Sequence, residues 1–90
     1  MAHSKSALKR IRVAERRRLE NRPYRSASRT LVRSAERAID AGDKEAAEDA
    51  VLRAVKMLDR TAGKGIIHAN NAARRKSRLM AKYNQMLAEA

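Results

Sequence analysis

The stretch AGDKEAAEDAVLRAVKMLDRTAGKG, residues 41–65, decides the fold. It opens on a turn signal, Ala41-Gly42-Asp43, and closes on another, Gly63-Lys64-Gly65, and each turn glycine can take the left-handed conformation that ends a helix. Between them Asp43 is a good N-cap, and Glu45, Glu48 and Asp49 put negative charge on the opening turns, where the helix dipole favours it. Arg53, Lys56 and Arg60 occupy the other half, the complementary arrangement. At 100° per residue Ala47, Ala50, Val51, Ala54, Val55, Met57, Leu58 and Ala62 share a face, with Leu52 as the one stray. The reading is one amphipathic helix bounded by two short turns, and it divides the rest of the chain into a helix before it and a helix after it.

In the preceding segment Tyr24, Ala27, Leu31, Ala35 and Ala38 line one side. Arg18, Arg22, Arg25, Arg29, Arg33 and Arg37 form a ridge on the other. In the following segment Ile66, Ala69, Ala72, Ala73, Leu79, Met80, Tyr83 and Leu87 gather opposite Asn71, Arg74, Arg75, Arg78 and Lys82. Nothing alternates with period two, so no strand is expected. Three apolar stripes joined by short turns predict an all-α fold, an antiparallel three-helix bundle with a long basic first helix extending beyond it.

Pro23 lacks the amide for an i to i−4 bond, and the expectation there is a kink or a helix restarted from a cap near Asn21 or Arg22. Upstream of it the basic residues point nearly all round the helix and leave no apolar stripe. Within the single domain of residues 1–90, residues 1–20 are therefore expected to be a basic arm that orders along a partner, and residues 21–90 the bundle.

Composition sets the energetics. Of 90 residues, 18 are Ala, whereas Leu, Ile and Val together make 15. The core must be thin, because alanine lets helices approach closely but removes little area from water.

With 22 Lys and Arg against 10 Asp and Glu, the formal net charge is +12, which calls for a polyanionic partner. The acids concentrate in residues 38–59, so the middle helix is expected to face away from that partner. Arginine outnumbers lysine 15 to 7, and its planar fork grips phosphate oxygens at two points. With no Phe or Trp and only Tyr24 and Tyr83, both on apolar faces, the chain lacks the stacking platform used to read unpaired bases. Structured, backbone-rich nucleic acid is favoured, and composition does not separate RNA from DNA. A histone-like architectural DNA-binding protein is the alternative. A basic amphipathic peptide lying on anionic membrane is weaker, because the apolar faces are shallow.

Other classes lack their residues. There is no Cys, hence no disulfide or thiolate site. No nucleophile–His–carboxylate set, Gly-rich phosphate loop after a strand, or cluster of metal ligands is present, so neither an enzyme nor a bound cofactor is expected. No apolar run approaches the roughly 20 residues that span a bilayer. His68 reads as a capping histidine, Asn70 and Asn71 as helix caps, and Met57, Met80 and Met86 as core filler.

The stretch KGIIHANNAARRKSRL, residues 64–79, with its Gly, His, Asn, Ala-Ala-Arg and Lys-Ser-Arg-Leu in order, resembles the third-helix signature of the bacterial small-subunit ribosomal protein S20 family. Ser4 to Arg12, followed by Glu15-Arg16-Arg17-Arg18-Leu19, is similar to that family's basic amino terminus, and Ala41-Gly42-Asp43 sits at its first interhelical turn. The likeness spans essentially the whole chain. It departs at Pro23, within a helix usually continuous, and at Asn71, where a basic residue is common.

The resemblance implies a cytoplasmic, non-enzymatic component of the small ribosomal subunit. It would bind the 5′ domain of 16S ribosomal RNA and the long helix near the 3′ end and stabilise their fold during assembly. Few protein contacts, no self-association, no membrane and no small-molecule substrate are expected. RNA-contact roles carry over to Lys5, Lys9, Arg10, Arg12, Arg16, Arg17, Arg18, His68, Asn70, Arg74, Arg75, Lys76 and Arg78. The helical faces add Arg22, Arg25, Arg29, Arg33, Asn71 and Lys82.

Overall fold

A computed structural model describes residues 4–89. It contains three helices, α1 (Lys5–Ala41), α2 (Lys44–Gly63) and α3 (Ala69–Glu89), and no strand among the described residues. The caps are local chemistry. The Ser4 side chain accepts from the Ala7 amide at 3.1 Å and opens α1. Gly42, at φ 74°, closes it, its amide donating to the Ile39 carbonyl. Asp43 then accepts from the Ala46 amide at 3.2 Å and starts α2, as its sequence predicts. At the second turn Gly65 takes the left-handed role, at φ 76°, while Gly63 remains helical.

Two tight connections fold the helices back on one another, and α2 is the central packing element: it meets α1 extensively and α3 less so, while α1 and α3 barely touch. The molecule measures 62 × 20 × 19 Å. At ~1.5 Å per residue the 37 residues of α1 span about 55 Å, against about 30 Å for the 20 residues of α2. The amino-terminal half of α1 therefore runs past the bundle, and Lys5 to Glu20 are exposed except for the half-buried Ala7 and Val13. Pro23 lies inside α1 without interrupting it, so no restarted helix is present. Pro23 is exposed, and the carbonyl of Leu19 that it leaves without a donor lies on a flank open to water.

The buried apolar residues are Ala35, Ile39, Ala47, Val51, Ala54, Leu58, Ala72 and Leu79, half of them alanine, as the composition requires. Leu31, Val32, Ala50, Val55, Tyr83 and Met86 cover the edges of this seam. Leu52 is 53% exposed, the stray its helical phase made it.

The inward face of α3 differs from the one read off its apolar residues. Ala69, Ala73, Met80 and Leu87 are exposed, whereas Ala72 and Leu79 are buried and Tyr83 and Met86 partly so. The helix is rotated toward Arg75, because its apolar surface is wider than the contact it makes and Leu79 and Ala72 take the deep positions. The half-buried stems of Arg75 and Lys76 flank the seam in place of Ala73 and Met80.

One polar pair sits in this core. Ser28 and Thr61, 1% and 0% exposed, meet across the α1–α2 interface with their hydroxyl oxygens 2.9 Å apart. Ser28 Oγ also lies 2.9 Å from the Tyr24 carbonyl, and Thr61 Oγ1 2.7 Å from the Met57 carbonyl. Two hydroxyl protons serve three contacts. If one hydroxyl donates across the interface, the other donates to its own helix, and neither oxygen is left without a partner.

Candidate nucleic-acid interface

Because α1 and α3 pack so little, an open groove runs between them, and the exposed ridge of α1 forms one of its walls. At the end nearest the α2–α3 turn the groove is lined by Arg25, Ser28, Arg29, Ile66, His68, Asn71 and Arg75. Further along it is lined by Arg29, Val32, Arg33, Glu36, Arg75 and Arg78, so Arg29 and Arg75 belong to both stretches. Arg18, Arg22, Arg25, Ser26 and Arg29 line a second depression, which extends the cationic strip along α1 toward the projecting arm. The far end of the groove, around Asp40, Lys82, Gln85 and Glu89, carries carboxylates and loses its cationic character.

Within the groove most guanidinium groups lack acidic partners. Arg22, Arg29, Arg33, Arg75 and Arg78 take part in no ion pair among the described residues. Arg25 is anchored differently, with Nη2 donating to the Ile66 carbonyl at 3.4 Å, which ties α1 to the turn ahead of α3. That turn is organised by His68, whose Nδ1 accepts from the Asn70 amide at 3.0 Å while its carbonyl accepts from the Asn71 and Ala72 amides. His68 is thus the cap of α3, and an accepting Nδ1 leaves the ring proton on Nε2, on an exposed side chain. Asn70 and Asn71 lie in the first turn of α3 and do not cap it.

The remaining candidate residues divide by position. Lys5, Lys9, Arg10, Arg12, Arg16, Arg17 and Arg18 are exposed along the arm, with Arg18 paired to Glu15 at 2.6 Å. Asn70 and Arg74 are exposed on α3 and line neither stretch of the groove. Lys76 turns to the other flank and meets Asp59 of α2 at 2.8 Å. Lys82 bridges to Glu36 at 3.3 Å, across the groove. Exposed pairs of this kind contribute only about 0–1 kcal/mol, so either lysine exchanges its carboxylate for another anion at little cost. The sequence reading missed Glu36 and the Ile66 carbonyl as parts of this wall. Glu36 falls three residues past Arg33 on the ridge, a spacing that signals it; a backbone carbonyl gives no signal in side-chain patterns.

Among the described residues there is no cluster of His, Cys, Asp and Glu able to hold a metal ion, and no helix is long and apolar enough to cross a membrane. The class so defined is a small helical bundle that displays unpaired arginines along a groove and a projecting basic helix. Residues 2–84 match the family model of ribosomal protein S20. The chain is 51% identical to the small ribosomal subunit protein bS20 of Thermomicrobium roseum over 87 residues, which cover 97% of this chain and 88% of that protein. It is 57% identical to that of a Roseiflexus species over 83 residues, covering 92% and 90%. The Aliivibrio fischeri protein of the same name is 54% identical over 81 residues, covering 90% and 94%. The chain belongs to the ribosomal protein S20 family, a family of ribosomal proteins and not of enzymes.

Proposed function

We propose that the protein is a structural component of the small ribosomal subunit, in the cytoplasm, that binds 16S ribosomal RNA directly through backbone phosphates and holds it in its folded form during assembly. The observation that carries this reading is the α1–α3 groove with its arginines free of carboxylates: Arg25, Arg29, Arg33, Arg75 and Arg78 bring unneutralised fork-shaped donors to one strip of surface. Arg22, Asn71 and Lys82 extend that strip, and His68 sets its end. Residues 1–20 act as a second element, an arm whose exposed cations Lys5, Lys9, Arg10, Arg12, Arg16, Arg17 and Arg18 follow a phosphate backbone away from the bundle of residues 21–90. Asn70, Arg74 and Lys76 contact RNA from the outer flanks of α3. The RNA elements engaged are the 5′ domain and the long helix near the 3′ end.

A competition experiment tests the reading. A folded transcript of the 5′ domain, labelled and bound, is challenged with unlabelled duplex DNA of equal phosphate concentration at matched salt. The expected result is displacement only at a large molar excess of the DNA. Displacement at parity would favour an architectural DNA-binding protein instead.

A further inference from the structure

The carboxyl-terminal end of α2 carries cations that line neither stretch of the groove. Arg60 and Lys64 stand one helical turn apart, an i,i+4 spacing that makes their side chains neighbours about 5–6 Å apart at Cβ. Both reach the same ring, that of Tyr24 on α1: the Arg60 guanidinium carbon lies 5.9 Å from its centroid and the Lys64 ammonium 4.9 Å. Both side chains belong to exposed residues, and neither takes part in an ion pair among the described residues. The nearest acid in sequence, Asp59, is engaged by Lys76. Two like charges gathered at one aromatic ring repel each other, and the ring quadrupole offsets that only in part. An anion seated between them removes the repulsion and gains two charge-assisted contacts.

We infer that Arg60 and Lys64, held together by the Tyr24 ring, form a seat for one backbone phosphate of RNA, outside the α1–α3 groove. This rests on the RNA-binding reading and adds to it a contact from the helix whose acids gather mostly at its other, amino-terminal end. Tyr24 is a positioning residue here. Its ring fixes where the two cations stand, and the acid nearest to it on α1, Glu20 one turn earlier, pairs with neither of them among the described residues.

The test is the salt dependence of binding to the folded 5′-domain transcript by the full chain. Each phosphate neutralised contributes about 0.7–0.9 to the slope of log affinity against log salt, the range from single strands to B-form duplex. The double variant Arg60→Gln, Lys64→Gln is expected to lose about one contact's share of that slope and roughly tenfold in affinity. Each single variant leaves one cation on the shared phosphate and should lose less than this. Tyr24→Phe keeps the seat and the slope, whereas Tyr24→Leu lowers affinity while circular dichroism confirms the bundle. Lys44→Gln, at the opposite end of α2, is the control and leaves the slope unchanged. A double variant with the wild-type slope overturns the seat, and a loss of two contacts' worth overturns its sharing. Wild-type protein that fails to bind the transcript at all would instead overturn the function proposed above.

Discussion

Replacing Arg22, Arg29 and Arg33 together by Gln removes three exposed guanidinium groups that make no ion pair or side-chain hydrogen bond among the described residues. Gln keeps the helix propensity and much of the stem, so folding stability should change by no more than about 0.5 kcal/mol per site. Binding should change greatly. If each arginine neutralises one phosphate, the slope of log affinity against log salt falls by about 2.7 in magnitude, and at 0.1 M salt the lost counterion release amounts to roughly 500-fold in affinity. The assay is filter binding of the folded 5′-domain transcript across a potassium chloride series, with circular dichroism at 222 nm on the same preparations. A slope that stayed within about 0.5 of the wild type would show that these three side chains do not meet phosphates, and the groove would lose its assignment. A matching loss of helix signal would show that they are structural.

Leu58 is fully buried in a core half made of alanine, so Leu58→Ala should cost about 2–5 kcal/mol, and thermal melting should find a largely unfolded protein in the absence of RNA. Ser28→Ala and Thr61→Val should each cost about 1 kcal/mol in urea unfolding, while the double variant costs measurably less than their sum, because the last hydroxyl loses a partner that the double variant no longer requires. Gly42→Ala should cost about 1–2 kcal/mol through its positive φ alone, since nothing lies within 4 Å of an added Cβ; a cost near zero by the same urea assay would show that the turn can relax.

The middle of the fold was legible because its signals are local. Asp43, Gly42 and the acidic first turns of α2 act within a few residues, and the caps appear where the sequence puts them. The inward face of α3 was not, since Ala73 and Met80 are as apolar as Ala72 and Tyr83 and only packing against α1 and α2 chooses between them. Ser28 and Thr61 were missed for the opposite reason: hydroxyl residues read as surface, yet their helical phase beside Tyr24, Leu31, Met57 and Leu58 places them inside. The ridge was legible from its period, whereas the groove needed the knowledge that α1 and α3 barely touch. The cations over Tyr24 come from a different helix, a pairing no spacing rule within one segment can show.

Directed hydroxyl-radical cleavage measures the orientation itself. The chain has no Cys, so Ser26→Cys beside the arginine ridge and Glu48→Cys on the acidic half of α2 each give a single tether for an iron chelate. With the protein bound to folded small-subunit ribosomal RNA, strong strand scission is expected from position 26 and little or none from position 48. Strong scission from 48 with an uncut RNA at 26 would mean that the acidic helix faces the nucleic acid and that the arginine ridge is not the binding face.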